Sequence, residues 1–140
     1  MFFMALFITY SYLIVEYLFA WLIYNSSIPY EATIDEGTKL GYGGIGVVLH
    51  RKVVIGKNVM IGQHVTIGGR SGLSQFPVVG DNVFIGPGVS ILGDLRVGNN
   101  VTIGANSVVL NDVPDNAVVV GVPAKIIKYH KTIKNIYSDH

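Results

Sequence analysis

Residues 55–68 read IGKNVMIGQHVTIG, and residues 79–108 read VGDNVFIGPGVSILGDLRVGNNVTIGANSV. Through both stretches an aliphatic residue returns at every sixth position: Ile55, Ile61, Ile67, Val79, Ile85, Ile91, Val97, Ile103 and Val109. Gly directly follows most of them. A six-residue period fits neither a helical stripe nor simple strand alternation. It suits a chain that runs a short strand, turns, and runs another against the coil below. The fold class is therefore all-β, a parallel β-helix of hexapeptide repeats with a triangular section.

Within each hexad the first residue is aliphatic and points inward, and the fifth is usually Val. Gly at position two, with Asn or Gly at position four, accepts turn conformations that β-branched residues resist. Three hexads make one coil, so residues 18 apart should stack: Leu49 under Ile67, Ile67 under Ile85, Ile85 under Ile103, and Ile55 under Leu73 or its loop. Each inward column is then a ladder of aliphatic side chains, a core that a thin chain builds without a second layer.

A chain of 140 residues, 50% hydrophobic and 14% charged, fits one domain and is too apolar for disorder. A net charge of +1 gives no basic field for nucleic acid, and the local excess lies in the tail, at Lys125, Lys128, Lys131 and Lys134. The absence of Cys removes disulfides, thiolate nucleophiles and Cys-based zinc sites together. It fits a reducing compartment, so a cytoplasmic location is expected.

Residues 1–24 differ from the rest. They carry one charge, Glu16, and nine of the fifteen aromatics. Their length and apolarity meet the rule for a membrane helix, but no Lys or Arg precedes them and no small-residue cleavage site follows. Two readings stand: a helix lying on the membrane surface or crossing it, or a helix that caps the first coil and packs on neighbouring subunits. Glu16 and the Tyr hydroxyls suit a partly wet surface, which favours the cap. The chain thus divides into an apolar helical cap or membrane-associated segment over 1–25, a β-helix over 26–124, and a basic tail over 125–140 with a short helix.

The hexad count breaks twice. Leu40 to Leu49 is nine residues, with the surplus in GYGGIG, residues 41–46. Ile67 to Val79 is twelve, but GGRSGLSQFP, residues 68–77, lacks the aliphatic pattern and reads as a loop leaving the coil. Insertions in solenoids collect on the binding face, so these breaks mark where chemistry is expected.

GVVLHRKVVIGKNVMIGQHVTIGGRSG, residues 46–72, and the run from Val78 through the GVPAK box to Ile127 resemble the hexapeptide-repeat acyltransferases. The serine O-acetyltransferase branch is the nearest, and within it the short polysaccharide or sugar O-acetyltransferases. The resemblance spans about residues 26–128, with VTIGG, ILGD and GVPAK in order. It implies a left-handed β-helix, a homotrimer, acetyl-CoA as co-substrate with no metal, and a histidine general base. Serine acetyltransferases carry a large helical domain before the repeats, where this chain has about 25 residues; a sugar hydroxyl is therefore expected as acceptor, with serine as the alternative. Where the family's two active-site histidines fall, this chain has Tyr42 and Phe76.

Two histidines, His50 and His64, lie in the repeats. Eighteen residues after His50 comes Gly68, so His50 should lie beneath the inserted loop. His64 should sit at the preceding corner, one coil above the Tyr42 insertion. In a trimer, His50 and Arg70 of one chain are then expected to meet Tyr42 and His64 of the next. A neutral imidazole can take the proton of an attacking hydroxyl, a role given first to His50 and then to His64. The backbone N–H groups of Gly68 and Gly69 are candidates for the oxyanion, worth roughly 3–4 kcal/mol of barrier.

For the donor, the resemblance places pantetheine along the cleft between prisms, against Gly86, Pro87, Gly104 and Ala105. It places Lys125 near the adenine and phosphate end. Each Gly is also an ordinary hexad turn. Competing functions on this fold fare worse. Two repeat histidines without Cys cannot complete a three-histidine zinc site, Thr66 and Thr102 are too sparse for an ice-binding face, and a non-catalytic scaffold has no need of the loop or of His50.

Overall fold

The computed structural model describes residues 2–131, with side chains from residue 10 onward apart from Tyr17 and Ala20. Strands of two to four residues stack into three parallel faces. The first face holds Thr33–Ile34, Val54–Ile55, Val78–Val79 and Arg96–Val97. The second holds Lys39–Leu40, Met60–Ile61, Phe84–Ile85, Thr102–Ile103 and Ala117–Val120. The third holds Val48–Leu49, Thr66–Gly68, Ser90–Leu92 and Val108–Val109. The chain visits the faces in that order, so each coil contributes one strand to each and three corners join them.

The inward column is the hexad pattern made solid. Ile55, Ile61, Ile67, Ile85, Ile91 and Ile103 are fully buried, as are Val47, Val53, Val65 and Val89. Burying such a side chain contributes roughly 1.5–3 kcal/mol. Ser107 stands where most hexads have Val, and its hydroxyl is satisfied: Oγ donates to the Gly104 carbonyl at 2.7 Å and accepts the Gly121 N–H at 3.1 Å.

Corner chemistry explains the recurrent Asn. Asn58, Asn82, Asn100, Asn106 and Asn116 take φ between 54° and 63°, the left-handed region that Asn tolerates better than most residues. At the first-to-second corner a side-chain ladder runs between coils. Asp81 accepts the Lys57 N–H at 2.8 Å, Asn99 accepts that of Asp81 at 2.8 Å, and Asp115 accepts that of Asn99 at 2.7 Å.

Leu49 does pair with Ile67 and Ile85 with Ile103, as the 18-residue spacing predicts. Two other expected stacks are wrong. Ile67 lies under Ile91 rather than Ile85, and Ile55 under Val79 rather than Leu73. The physical reason is the loop 68–77, which replaces an ordinary corner and lifts six residues out of the coil, so 24 residues separate the strands across it.

The tail also differs from expectation. Lys125–Tyr129 is a strand, not a helix, antiparallel to Ala117–Val120 and closing the upper edge of the second face. An open solenoid edge offers unpaired backbone groups, and pairing with them outweighs weak local helical preference. His130 pins the strand end, donating its N–H to the Asn116 carbonyl at 2.7 Å and placing Nε2 2.9 Å from Thr102 Oγ1. Residues 132–140, with Lys134, lie outside the described residues.

Among the described residues one α-helix is found, over Phe2–Tyr24. Every described large apolar side chain from Tyr10 to Ile23 is at least 50% exposed, so this stretch does not bury its apolar residues on the coils of its own chain. The reason is that apolar residues surround the helix on all sides, leaving no stripe to lay on the solenoid. Its last residue does touch the coils, as Tyr24 faces Gly43 and its carbonyl accepts the Gly46 N–H at 2.8 Å. The part of the helix whose side chains are described, within residues 10–24, is by itself too short to cross a membrane. Deleting residues 2–23 is therefore expected to leave the melting temperature of the coils unchanged, as followed by circular dichroism; a clear drop would show that the helix shields the first coil in the assembled protein.

Candidate active site

The third-to-first corner is built on a register match and a loop. His50 follows buried Leu49 and donates its N–H to the Ile67 carbonyl at 2.9 Å, which sets it directly beneath Gly68. The loop 68–77 then folds back over it. Phe76 stacks on the His50 imidazole with centroids 3.9 Å apart and planes 5° from parallel, and Lys52 Nζ lies 5.5 Å from the Phe76 centroid. Gly69 is what makes room: a Cβ there would stand 2.8 Å from Phe76 Cε1. The loop is tied upward as well, through the Gly93 N–H to the Gly68 carbonyl at 3.0 Å, while Leu73 and Arg70 rest against Gly93.

This packing leaves His50 half-buried and oriented. Its Nδ1 accepts the Lys52 N–H at 3.2 Å, so the neutral ring in this arrangement carries its proton on Nε2. A half-turn about the Cβ–Cγ bond keeps the ring in the plane of the Phe76 stack and frees Nδ1. The stack therefore fixes the plane of the imidazole without fixing which nitrogen faces the solvent.

His64 has a different character. It lies at the second-to-third corner with φ of 57°, the conformation that Asn58, Asn82 and Asn100 adopt in their own hexads. It is exposed and sits one coil above the Tyr42 insertion, its N–H bonded to the Ile45 carbonyl at 2.9 Å and its ring over Gly46. Tyr42 itself is 77% exposed with φ of 50°. Within one chain, His64 and Gly68 bound the same strand, and four residues of extended chain separate them by ~13 Å. The fold thus brings His50, Gly68, Gly69 and Arg70 to one corner and Tyr42 and His64 to another.

The glycines singled out for the donor also pack between coils. A Cβ on Gly86 would stand 2.7 Å from Ala105 N and 2.9 Å from the Ile103 carbonyl oxygen, and one on Gly104 would stand 2.7 Å from Val120 Cγ1. Stacking of the next coil therefore leaves no room at Gly86, where backbone stands in the way, and little at Gly104, where a side chain does. Pro87 and Ala105 lie at the same corner as His64, and Lys125 is exposed at the start of the closing strand. Among the described residues no group of three or more His, Cys, Asp or Glu is placed to hold a metal ion. The stacking role of Phe76 and the cations Arg51 and Lys52 escaped the sequence reading; the HRK run facing the inserted loop was the available signal.

Comparison with known proteins bears on the same coils. Residues 76–111 match the family model "Bacterial transferase hexapeptide (six repeats)". A serine acetyltransferase of Synechococcus elongatus is 40% identical over 114 residues, which are 76% of this chain and 46% of that protein. The solved structure of Brucella abortus serine acetyltransferase with coenzyme A superposes with a TM-score of 0.75 at 36% identity, over 80% of this chain and 45% of that one. Neisseria gonorrhoeae serine acetyltransferase in complex with serine gives a TM-score of 0.65 at 42% identity, over 70% and 40%. The chain spans about half the length of the curated relatives it matches. By repeat, by coil and by similarity, it is a hexapeptide-repeat β-helix protein whose solenoid is homologous to that of serine acetyltransferases.

Proposed function

We propose that the chain is an O-acetyltransferase that moves acetyl from acetyl-CoA to a hydroxyl of its acceptor. The observation that carries this reading is the match of nearly all its coils to serine acetyltransferases, one of them solved with coenzyme A. His50 takes the hydroxyl proton as the oxygen attacks the thioester carbon, and Phe76 holds the imidazole in plane while it does so. The Gly68 and Gly69 amides face the oxyanion. Collapse of the tetrahedral intermediate expels the coenzyme A thiolate, which receives the proton from His50. Gly86, Pro87, Gly104, Ala105 and Lys125 are the candidates to contact the donor.

Because His50 and the Tyr42–His64 pair occupy different corners, the site is completed between chains in a homotrimer. A cytoplasmic enzyme, at the inner face of the membrane if the N-terminal helix binds there, is the location proposed. The relatives named above are serine acetyltransferases, so L-serine is the first acceptor reading. A sugar hydroxyl is the second, supported by Tyr42 and Phe76 standing where the resemblance puts histidines. Thiol release from acetyl-CoA, measured with L-serine and with a panel of sugars and sugar phosphates, tests both. Acceptor-dependent release is expected from a species that light scattering shows to be a trimer. An active monomer would remove the shared site, and release that no hydroxyl compound accelerates would remove the activity.

A further inference from the structure

The helix Phe2–Tyr24 is the part of the chain that the coils leave uncovered. Successive residues of an α-helix stand about 100° apart around its axis, so Leu13, Ile14 and Val15 face three directions, and Trp21, Leu22 and Ile23 do so again. All six are more than half exposed. Apolar side chains therefore meet the surroundings on every side of this rod.

A groove on a partner protein, or a bundle of three such helices, covers one stripe of a helix and leaves the opposite side in water. A helix that lies on a membrane surface likewise needs a polar face for its water side. Hydrocarbon covers a helix all round. The 23 residues of this one rise about 34 Å, against a hydrocarbon core of about 30 Å. Within it four Leu, three Ile, four Phe and Val15 favour the bilayer, whereas Glu16 is the one charge. An acidic side chain near mid-helix costs on the order of what half of those side chains gain, so the balance stays with insertion. Tyr12 lies one turn before Glu16 on the same side, where a phenol can bond the carboxyl.

We propose that this helix inserts into a lipid bilayer and holds the coils at the bilayer surface. The end that joins the coils suits the headgroup level. Trp21 and Tyr24 stand there, and Tyr30, on the first coil, is 91% exposed. Such rings gather where hydrocarbon meets water. Tyr24 is fastened to the coils, its carbonyl accepting the Gly46 N–H at 2.8 Å. No Lys or Arg precedes Lys39, and Glu31, Asp35 and Glu36 lie on the first coil, so attraction to anionic lipid has no part in the binding. Insertion deepens the location proposed above, and it does not depend on acetyl transfer.

Trp21 is the chain's one tryptophan, so its fluorescence reports the helix alone. When detergent is removed from the full chain in the presence of phosphatidylcholine vesicles, the protein should float with them through a density gradient, and neither molar salt nor alkaline carbonate should release it. Trp21 emission should shift to the blue and be quenched by dibrominated phosphatidylcholine. Ile14→Lys together with Leu18→Lys, both at exposed positions, should cut the floating fraction about tenfold or more while the thermal melt of the coils stays unchanged. Release by salt, or a Trp21 as open to acrylamide with vesicles as without, would overturn insertion. So would a chain that stays out of the vesicles as a discrete oligomer in plain buffer and that the two lysines dissociate, which would give the helix to other copies. Flotation equal in wild type and the double variant would overturn it too, by placing the lipid contact elsewhere on the chain. Because binding is read without acetyl transfer, a failure of the enzymatic reading gives a separate result.

Discussion

His50→Ala should lower kcat by about 10²–10⁴-fold while leaving the affinity for acetyl-CoA nearly unchanged, the pattern for loss of a general base. The side chain is half-buried against Phe76, so alanine leaves a gap under the loop but removes no buried ion pair. The control is His64→Asn. Asn already occupies the same left-handed corner position at 58, 82 and 100, so this variant should fold normally. Kinetics of the two variants decide between the histidines. Full activity in His50→Ala with activity lost in His64→Asn would transfer the base to the neighbouring corner.

Gly86→Ala should cost about 3 kcal/mol of stability, whereas Gly104→Ala should cost about 1 kcal/mol. The difference lies in what the new methyl meets. At Gly86 it meets backbone, Ala105 N at 2.7 Å and the Ile103 carbonyl oxygen at 2.9 Å, which can move only by separating two coils. At Gly104 it meets the end of a side chain, Val120 Cγ1, which can turn away. For a domain of this size 3 kcal/mol corresponds to a fall in Tm of roughly 10 °C. Thermal melts paired with coenzyme A binding separate this from a donor-contact role: a Gly86→Ala protein with wild-type Tm and weakened coenzyme A binding would show that Gly86 serves the ligand rather than the coil.

The hexad period alone determined that this chain forms a β-helix, which residues point inward, and where Asn and Gly turn its corners. Those features depend on contacts that repeat every six residues, and local pattern carries them in full. The same period was misleading across residues 68–77. Twelve residues count as two hexads, yet pairing of Ile67 with Ile91 shows that six of them leave the coil. Only strand pairing could decide it, since the count is the same either way. The tail was likewise beyond local reading, because Lys125–Tyr129 becomes a strand by using the edge that Ala117–Val120 leaves open.

The candidate site divides along the same line. His50 beneath Gly68 was legible because one uninterrupted coil separates them. Its stack with Phe76 was not, because the loop that carries Phe76 obeys no repeat and is placed by Gly69, Gly93 and Leu73. Periodic burial is written residue by residue, whereas the meeting of side chains from a coil and a loop exists only once the loop has found its place on the solenoid.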